Sequence, residues 1–154
     1  MALHLLRHAD AVPESSELAD ESRYLSARGR EQAAVLGATL VRLGFVPTAV
    51  VSSPLVRAVQ TAELLVRGCA PKLVVSIDEG LAPQRSLRRL LAGLGAYDGA
   101  ILVGHEPSIS ALACALTQRS HFPAFKKAQL LCIEGGEPRW MLGPGDSEVR
   151  PYRP

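Results

Sequence analysis

The chain has 154 residues, with 17 basic and 15 acidic side chains, a formal net charge of +2 and a mean hydropathy of +0.13. A hydrophobic fraction of 47% excludes an intrinsically disordered polymer. The length suits a single domain spanning 1–154, large enough to bury a sizeable core. So even a balance leaves no surplus of positive charge for a polyphosphate backbone, which argues against a dedicated nucleic-acid binder.

Arginine outnumbers lysine 14 to 3, a skew that genomic base composition produces without any functional cause. Cys69, Cys114 and Cys132 are far apart and show no CxxC spacing, which argues against a disulfide framework or a zinc site and suits a reducing compartment. No apolar stretch approaches the length of a membrane span. His4, Arg7, His8 and Asp10 interrupt the N-terminus where a signal peptide would be apolar. The expectation is a cytoplasmic protein that binds neither membrane nor nucleic acid.

In chain order, residues 2–6 form a short apolar run that reads as a buried strand. Residues 11–24, acidic and containing Pro13, read as a surface loop. Ser26 is placed to cap a helix running to about Leu43. A second strand is expected over 48–52, followed by a helix with Pro54 at its first position that ends near Arg67. Residues 73–77 read as a third strand and 86–94 as a short amphipathic helix. A fourth strand over 100–103 leads to a helix that starts at Pro107 and ends near Leu116. Residues 129–134 and 139–142 flank Gly135-Gly136 and read as a hairpin. The tail after Gly143 is expected to fray.

Strands alternating with helices imply right-handed crossovers. The expected fold is a three-layer α/β/α sandwich with a mostly parallel central sheet and a C-terminal antiparallel hairpin. In such sheets, ligands bind beyond the carboxyl ends of the strands. The first strand delivers Arg7 and His8 there, the second leads to Ser53 and Arg57, and the fourth to His105. Two of these junctions open helices, whose free N–H groups and dipole favour an anion. Guanidinium groups match phosphate oxygens two at a time. A neutral imidazole among arginines is a nucleophile, and a second histidine can donate to the transferring phosphoryl group. The arginines supply the neutralising charge. The residues therefore describe metal-free, cofactor-free phosphoryl transfer.

The segments LLRHADA, SSPLVRAVQTAE and LVGHEP resemble, in order and spacing, the three signature segments of the histidine phosphatase superfamily, the clan that includes phosphoglycerate mutases. Ala9 after Arg7-His8, the YLSARGREQA and EGLAP segments, and KKAQLLCIE with Trp140 resemble its small SixA-type phosphohistidine phosphatase branch. The resemblance implies His8 as the phosphorylated nucleophile, with Arg7, Arg57 and His105 completing a phosphate pocket. One departure stands out. Much of the superfamily carries a general-acid Glu where this chain has Pro83, although Glu79 lies nearby and is a candidate proton donor. Ser53 and Asp10 are candidates to line the pocket.

An alkoxide leaving group, with a conjugate acid near pKa ~15.7, needs such an acid; an imidazole, with a pKa of about 6.5, leaves as a neutral base. The expected substrate is accordingly a phosphohistidine on a phosphotransfer or phosphocarrier protein, bound transiently, with inorganic phosphate as product. A phosphomonoesterase for small metabolites and a non-catalytic phosphate or phosphoprotein sensor are the alternatives.

Overall fold

The computed structural model describes residues 1–153; Pro154, the end of the expected tail, lies outside the described residues. Strand β1 spans Ala2–Arg7, β2 Val50–Ser52, β3 Ser76–Ile77, β4 Ile101–Gly104, β5 Leu130–Glu134, β6 Glu137–Leu142 and β7 Arg150–Pro151. They form a seven-stranded sheet in the order β3-β2-β4-β1-β5-β6-β7. Neighbours from β3 to β1 run parallel, and those from β1 to β7 antiparallel. The strand that carries Arg7 into the site is thus the central seam, paired on both edges.

Helices α1 (Ala27–Arg42) and α2 (Val56–Cys69) cover one face, where Leu6, Ile101 and Val103 pack against Leu36, Leu40, Ala62 and Leu65. Helices α3 (Leu87–Gly93) and α4 (Ser108–Thr117) cover the other, where Leu3, Leu5 and Leu102 meet Leu90, Ile109 and Leu112. Burial on both faces explains why β1 is apolar from residue 2 to 6 apart from the buried His4. The helices on the first face come very close. A Cβ on Gly37 would lie 2.7 Å from the Leu65 carbonyl oxygen, so only glycine admits this crossing.

Three expectations are corrected. The third strand shrinks to Ser76–Ile77 at the sheet edge, because Leu73 and Val75 turn into the α1/α2 layer while Val74 is 88% exposed. Pro54 precedes rather than opens its helix; Leu55 is extended (φ −69°, ψ 141°) and Val56 is the first helical residue. Pro107 likewise sits just before α4, after a cis Glu106–Pro107 peptide.

The tail does not fray. Arg150–Pro151 pairs with β6, Tyr152 stacks on Phe122 at 5.1 Å between ring centroids, and the Ser147 carbonyl accepts from Arg42. An aromatic anchor and backbone pairing outweigh the tail's polar composition. The hairpin forms as expected, with Gly135 and Gly136 at φ 60° and 80°. No helix among the described residues is long and apolar enough to cross a membrane.

Candidate active site

The carboxyl ends of β1, β2 and β4 converge at one edge of the sheet, as register dictates: Arg7 lies opposite Gly104, and Ser52 opposite Val103. Each strand then hands its next residues to the same place. The rings of His8 and His105 lie 5.1 Å apart between centroids, and they are 6% and 2% exposed. Arg57, in the first turn of α2, is 4% exposed. Packing leaves few positions for these side chains. The His8 backbone is gripped from both sides, its N–H donating to the Gly104 carbonyl at 3.0 Å and its carbonyl accepting from Ala128 N at 3.2 Å.

The protonation pattern follows from the partners. His8 Nδ1 lies 2.7 Å from the Ala9 carbonyl oxygen. A carbonyl only accepts, so the proton sits on Nδ1 and the lone pair on Nε2. Burial, followed by the Arg57 and Arg7 charges, pulls His8 down to about 4, against the Ala9 hydrogen bond that favours the charged form. Burial, then His8 and Arg57, pulls His105 down to about 3. Both rings are neutral at pH 7. His105 Nε2 pairs with Ser53 Oγ at 2.7 Å. Burial lowers the Arg7 guanidinium from its ordinary value, and the nearby Glu106 carboxylate opposes the shift.

Among the described residues, three buried side-chain nitrogen or oxygen atoms lack a hydrogen-bond partner: Arg7 Nε, Arg57 Nε and His105 Nδ1. All three belong to the residues that the sequence places around a phosphate. An unpartnered buried donor costs about 1–3 kcal/mol, so three in one place are suited to a shared acceptor. A tetrahedral oxyanion supplies acceptors in the required number.

The other candidates fall elsewhere. Ser53 is fully buried beside His105, where its Oγ also accepts the Leu55 N–H at 3.2 Å. Asp10 turns to other partners: its carboxylate binds Lys127 Nζ and Ser26 Oγ, each at 2.6 Å, and so ties the residues after β1 to the α1 N-cap and to the segment before β5. Those two bonds hold its carboxyl below the usual range. Glu79 is exposed on the 3-10 turn Glu79–Leu81, and no hydrogen bond joins it to the four central residues. His4, on the α1/α2 face, packs edge-on against Phe45 at 4.6 Å and is structural.

Two further carboxylates reach the arginines. Glu106 Oε1 accepts the Phe125 N–H at 2.9 Å, and the Phe125 carbonyl in turn accepts from Arg7 Nη1 at 2.7 Å. Asp20, from the acidic loop, meets Arg57. Asp20 has no local signal, and Glu106, although within LVGHEP, acts on Arg7 through backbone distant in sequence. A cavity of about 400 Å³ lies between α1 and the 143–146 turn, away from these residues. The gap behind His105 is apolar, lined by Leu81, Leu87, Leu90 and Ile109, and holds about 10 Å³, room for about one water.

The family model described as the histidine phosphatase superfamily (branch 1) matches residues 3–84, the stretch that carries Arg7, His8 and Arg57. The chain belongs to the histidine phosphatase superfamily. A relative from Picosynechococcus sp., itself described as uncharacterized, is 33% identical over 149 residues, covering 90% of this chain and 88% of that protein. Among solved structures, this histidine phosphatase is similar to the protein histidine phosphatase SixA complexed with tungstate, with a TM-score of 0.84 at 21% identity over 94% of this chain and 97% of that one. A SixA from Agrobacterium tumefaciens is similar at TM-score 0.71, 23% identity and coverages of 85% and 89%. A mycobacterial glucosyl-3-phosphoglycerate phosphatase complexed with VO3 is similar at TM-score 0.68, 22% identity and coverages of 90% and 95%. These likenesses establish the phosphoglycerate mutase-like fold.

Proposed function

We propose that this chain, as one histidine phosphatase domain, is a metal-independent phosphohistidine phosphatase acting on a protein substrate through a covalent phospho-His8 intermediate. The observation that carries the phosphate site is the trio of buried, unpartnered nitrogens on Arg7, Arg57 and His105. The tautomer of His8, with its lone pair on Nε2, supports its role as nucleophile.

Nε2 attacks phosphorus while the bond from phosphorus to the substrate imidazole breaks. The departing imidazole takes a proton from water and leaves neutral. Arg7, Arg57 and His105 bind the phosphoryl oxygens in the transition state, where they act in a water-poor setting. Water then attacks the phosphorus of phospho-His8, which releases inorganic phosphate and restores the neutral ring.

Protein phosphohistidine is favoured over a small phosphoester on leaving-group grounds. The leaving group needs no strong acid, and Glu79 stands exposed without a hydrogen bond to the four central residues. A phosphohistidine-carrying phosphotransfer or phosphocarrier domain is the partner this reading implies, met in the cytoplasm. The test compares such a domain with a panel of phosphoesters in the presence of EDTA. Faster turnover of the phosphohistidine protein is expected, with acid-labile phosphate trapped on the wild type and none on His8→Ala. Equal or faster turnover of sugar phosphates would overturn the substrate assignment, and loss of activity to EDTA the metal-free one.

A further inference from the structure

Asp20 lies outside every motif that pointed to the pocket, in the 3-10 turn Asp20–Ser22 between β1 and α1, yet it reaches Arg57 twice. Its carbonyl oxygen accepts from Arg57 Nη1 at 2.7 Å, and its Oδ2 accepts from Nη2 at 3.2 Å. A guanidinium presents paired hydrogens along two edges, the end edge between Nη1 and Nη2 and the side edge between Nε and one Nη. Asp20 takes the end edge. The side edge keeps Nε, which is buried without a partner. Arg7 repeats the arrangement: Nη1 donates to the Phe125 carbonyl at 2.7 Å, and Nε is again buried and unpartnered. Each arginine is tethered by a terminal nitrogen and left with its Nε free.

Asp20 is itself held from the outside. Arg23 Nη1 donates to Asp20 Oδ1 at 2.9 Å, while Arg23 Nε donates to the Val12 carbonyl at 2.7 Å. The carboxylate therefore bridges two guanidiniums, one anchored to the loop's own backbone and the other in α2. Arg23 first, then Arg57, holds the Asp20 carboxyl below the usual range against partial burial. It is a standing anion and no source of protons at neutral pH.

We propose that Asp20 is a positioning residue for Arg57, fixing the end edge of the guanidinium so that the side edge faces the phosphoryl oxygens. The inference rests on the phosphate site proposed above and assigns a job to the loop at 11–24. Electrostatics alone argues the reverse, because a carboxylate beside an anion site repels the anion. A clamp and a competing anion thus predict opposite signs on removal of the carboxylate. The clamp prevails here because a freed Arg57 regains rotamers that phosphate must then freeze, and because the side edge is already open.

The experiment titrates inorganic phosphate into full-length wild type, D20A, D20N and R23A by calorimetry, with thermal midpoints measured alongside. The Nη1 bond to the backbone carbonyl survives in D20A, so any change there reads the carboxylate. D20A is expected to bind phosphate about tenfold more weakly, and D20N, whose amide oxygen still accepts from Nη2, to stay within about threefold of wild type. R23A, which removes the outer anchor, shifts binding in the same direction as D20A by a smaller factor, and it carries the test if D20A does not fold. Phosphate binding by D20A or R23A that equals or exceeds wild type overturns the inference alone. Wild-type protein that takes up no phosphate overturns the phosphate site itself, and this inference with it.

Discussion

His105 Nε2 and Ser53 Oγ lie 2.7 Å apart, joining the first residue after β4 to the first residue after β2. His105 is held near 3 and so carries one ring proton at pH 7. An anion at Nδ1 requires the proton there, with the Ser53 hydroxyl donating to Nε2. Ser53→Ala removes that donor and allows the other tautomer. The expected loss is about 1–1.5 kcal/mol of transition-state stabilisation, roughly tenfold in kcat/KM, with ring ¹⁵N shifts that report a changed tautomer. Unchanged ¹⁵N shifts would show that serine does not set the proton's position.

Glu106 fastens the Phe125 peptide that holds Arg7, and its Oε2 accepts from Ser110 Oγ at 2.7 Å. Glu106→Gln keeps an acceptor for Phe125 N–H and removes a negative charge near the pocket. It should bind phosphate as well as wild type or better. Glu106→Ala loses the fastening and should bind several-fold more weakly, by about 1 kcal/mol. Phosphate inhibition constants for the two variants check the contrast.

Gly29 sits where the first turn of α1 meets the backbone two residues past the nucleophile. A Cβ there would lie 1.9 Å from the Asp10 carbonyl oxygen, and a backbone oxygen has no rotamer to escape into. Gly29→Ala should destabilise by about 2 kcal/mol, a fall of about 4–8 °C in Tm for a chain of this size. It should also lower activity at temperatures well below the new midpoint, because Asp10 moves together with His8. Thermal melts and kinetics at 20–25 °C (about 298 K) separate the two effects.

Acid should destabilise the protein earlier than carboxylate titration alone predicts. His8 and His105 fall to about 4 and about 3 in the fold, whereas an unfolded histidine titrates near 6.5. Below about pH 6.5 the unfolded chain binds protons that the folded one refuses. Stability therefore falls as pH drops from about 6.5 towards 4, by about 1.4 kcal/mol per pH unit for each of the two rings. Denaturant midpoints between pH 7 and 4.5 should show this slope, and His8→Gln should remove one ring's share.

Much of the architecture was legible because burial leaves an imprint on composition. The largely apolar β1 and β4 follow from cover on both faces, and Gly135-Gly136 between β5 and β6 forms the turn that its residues favour. Arg7, His8 and His105 were legible for a related reason, since each stands at or just past a strand's carboxyl end, where open α/β sheets place their ligands, and Arg57 follows in the first turn of the helix after β2. Local composition misread the tail, because Tyr152 finds Phe122 only after the sheet has formed.

Residue order alone therefore determined which groups arrive at the pocket and what chemistry their types allow. How those groups are held was decided by the folded chain. Asp10, near the nucleophile in sequence, turns away to Lys127, while Asp20, outside every motif, accepts from Arg57, and Glu106, within LVGHEP, holds the Phe125 N–H beside the carbonyl that accepts from Arg7. The physical reason is range. Apolar periodicity and turn preference act between near neighbours, whereas a carboxylate chooses its cation among whatever the packed layers bring within about 3 Å.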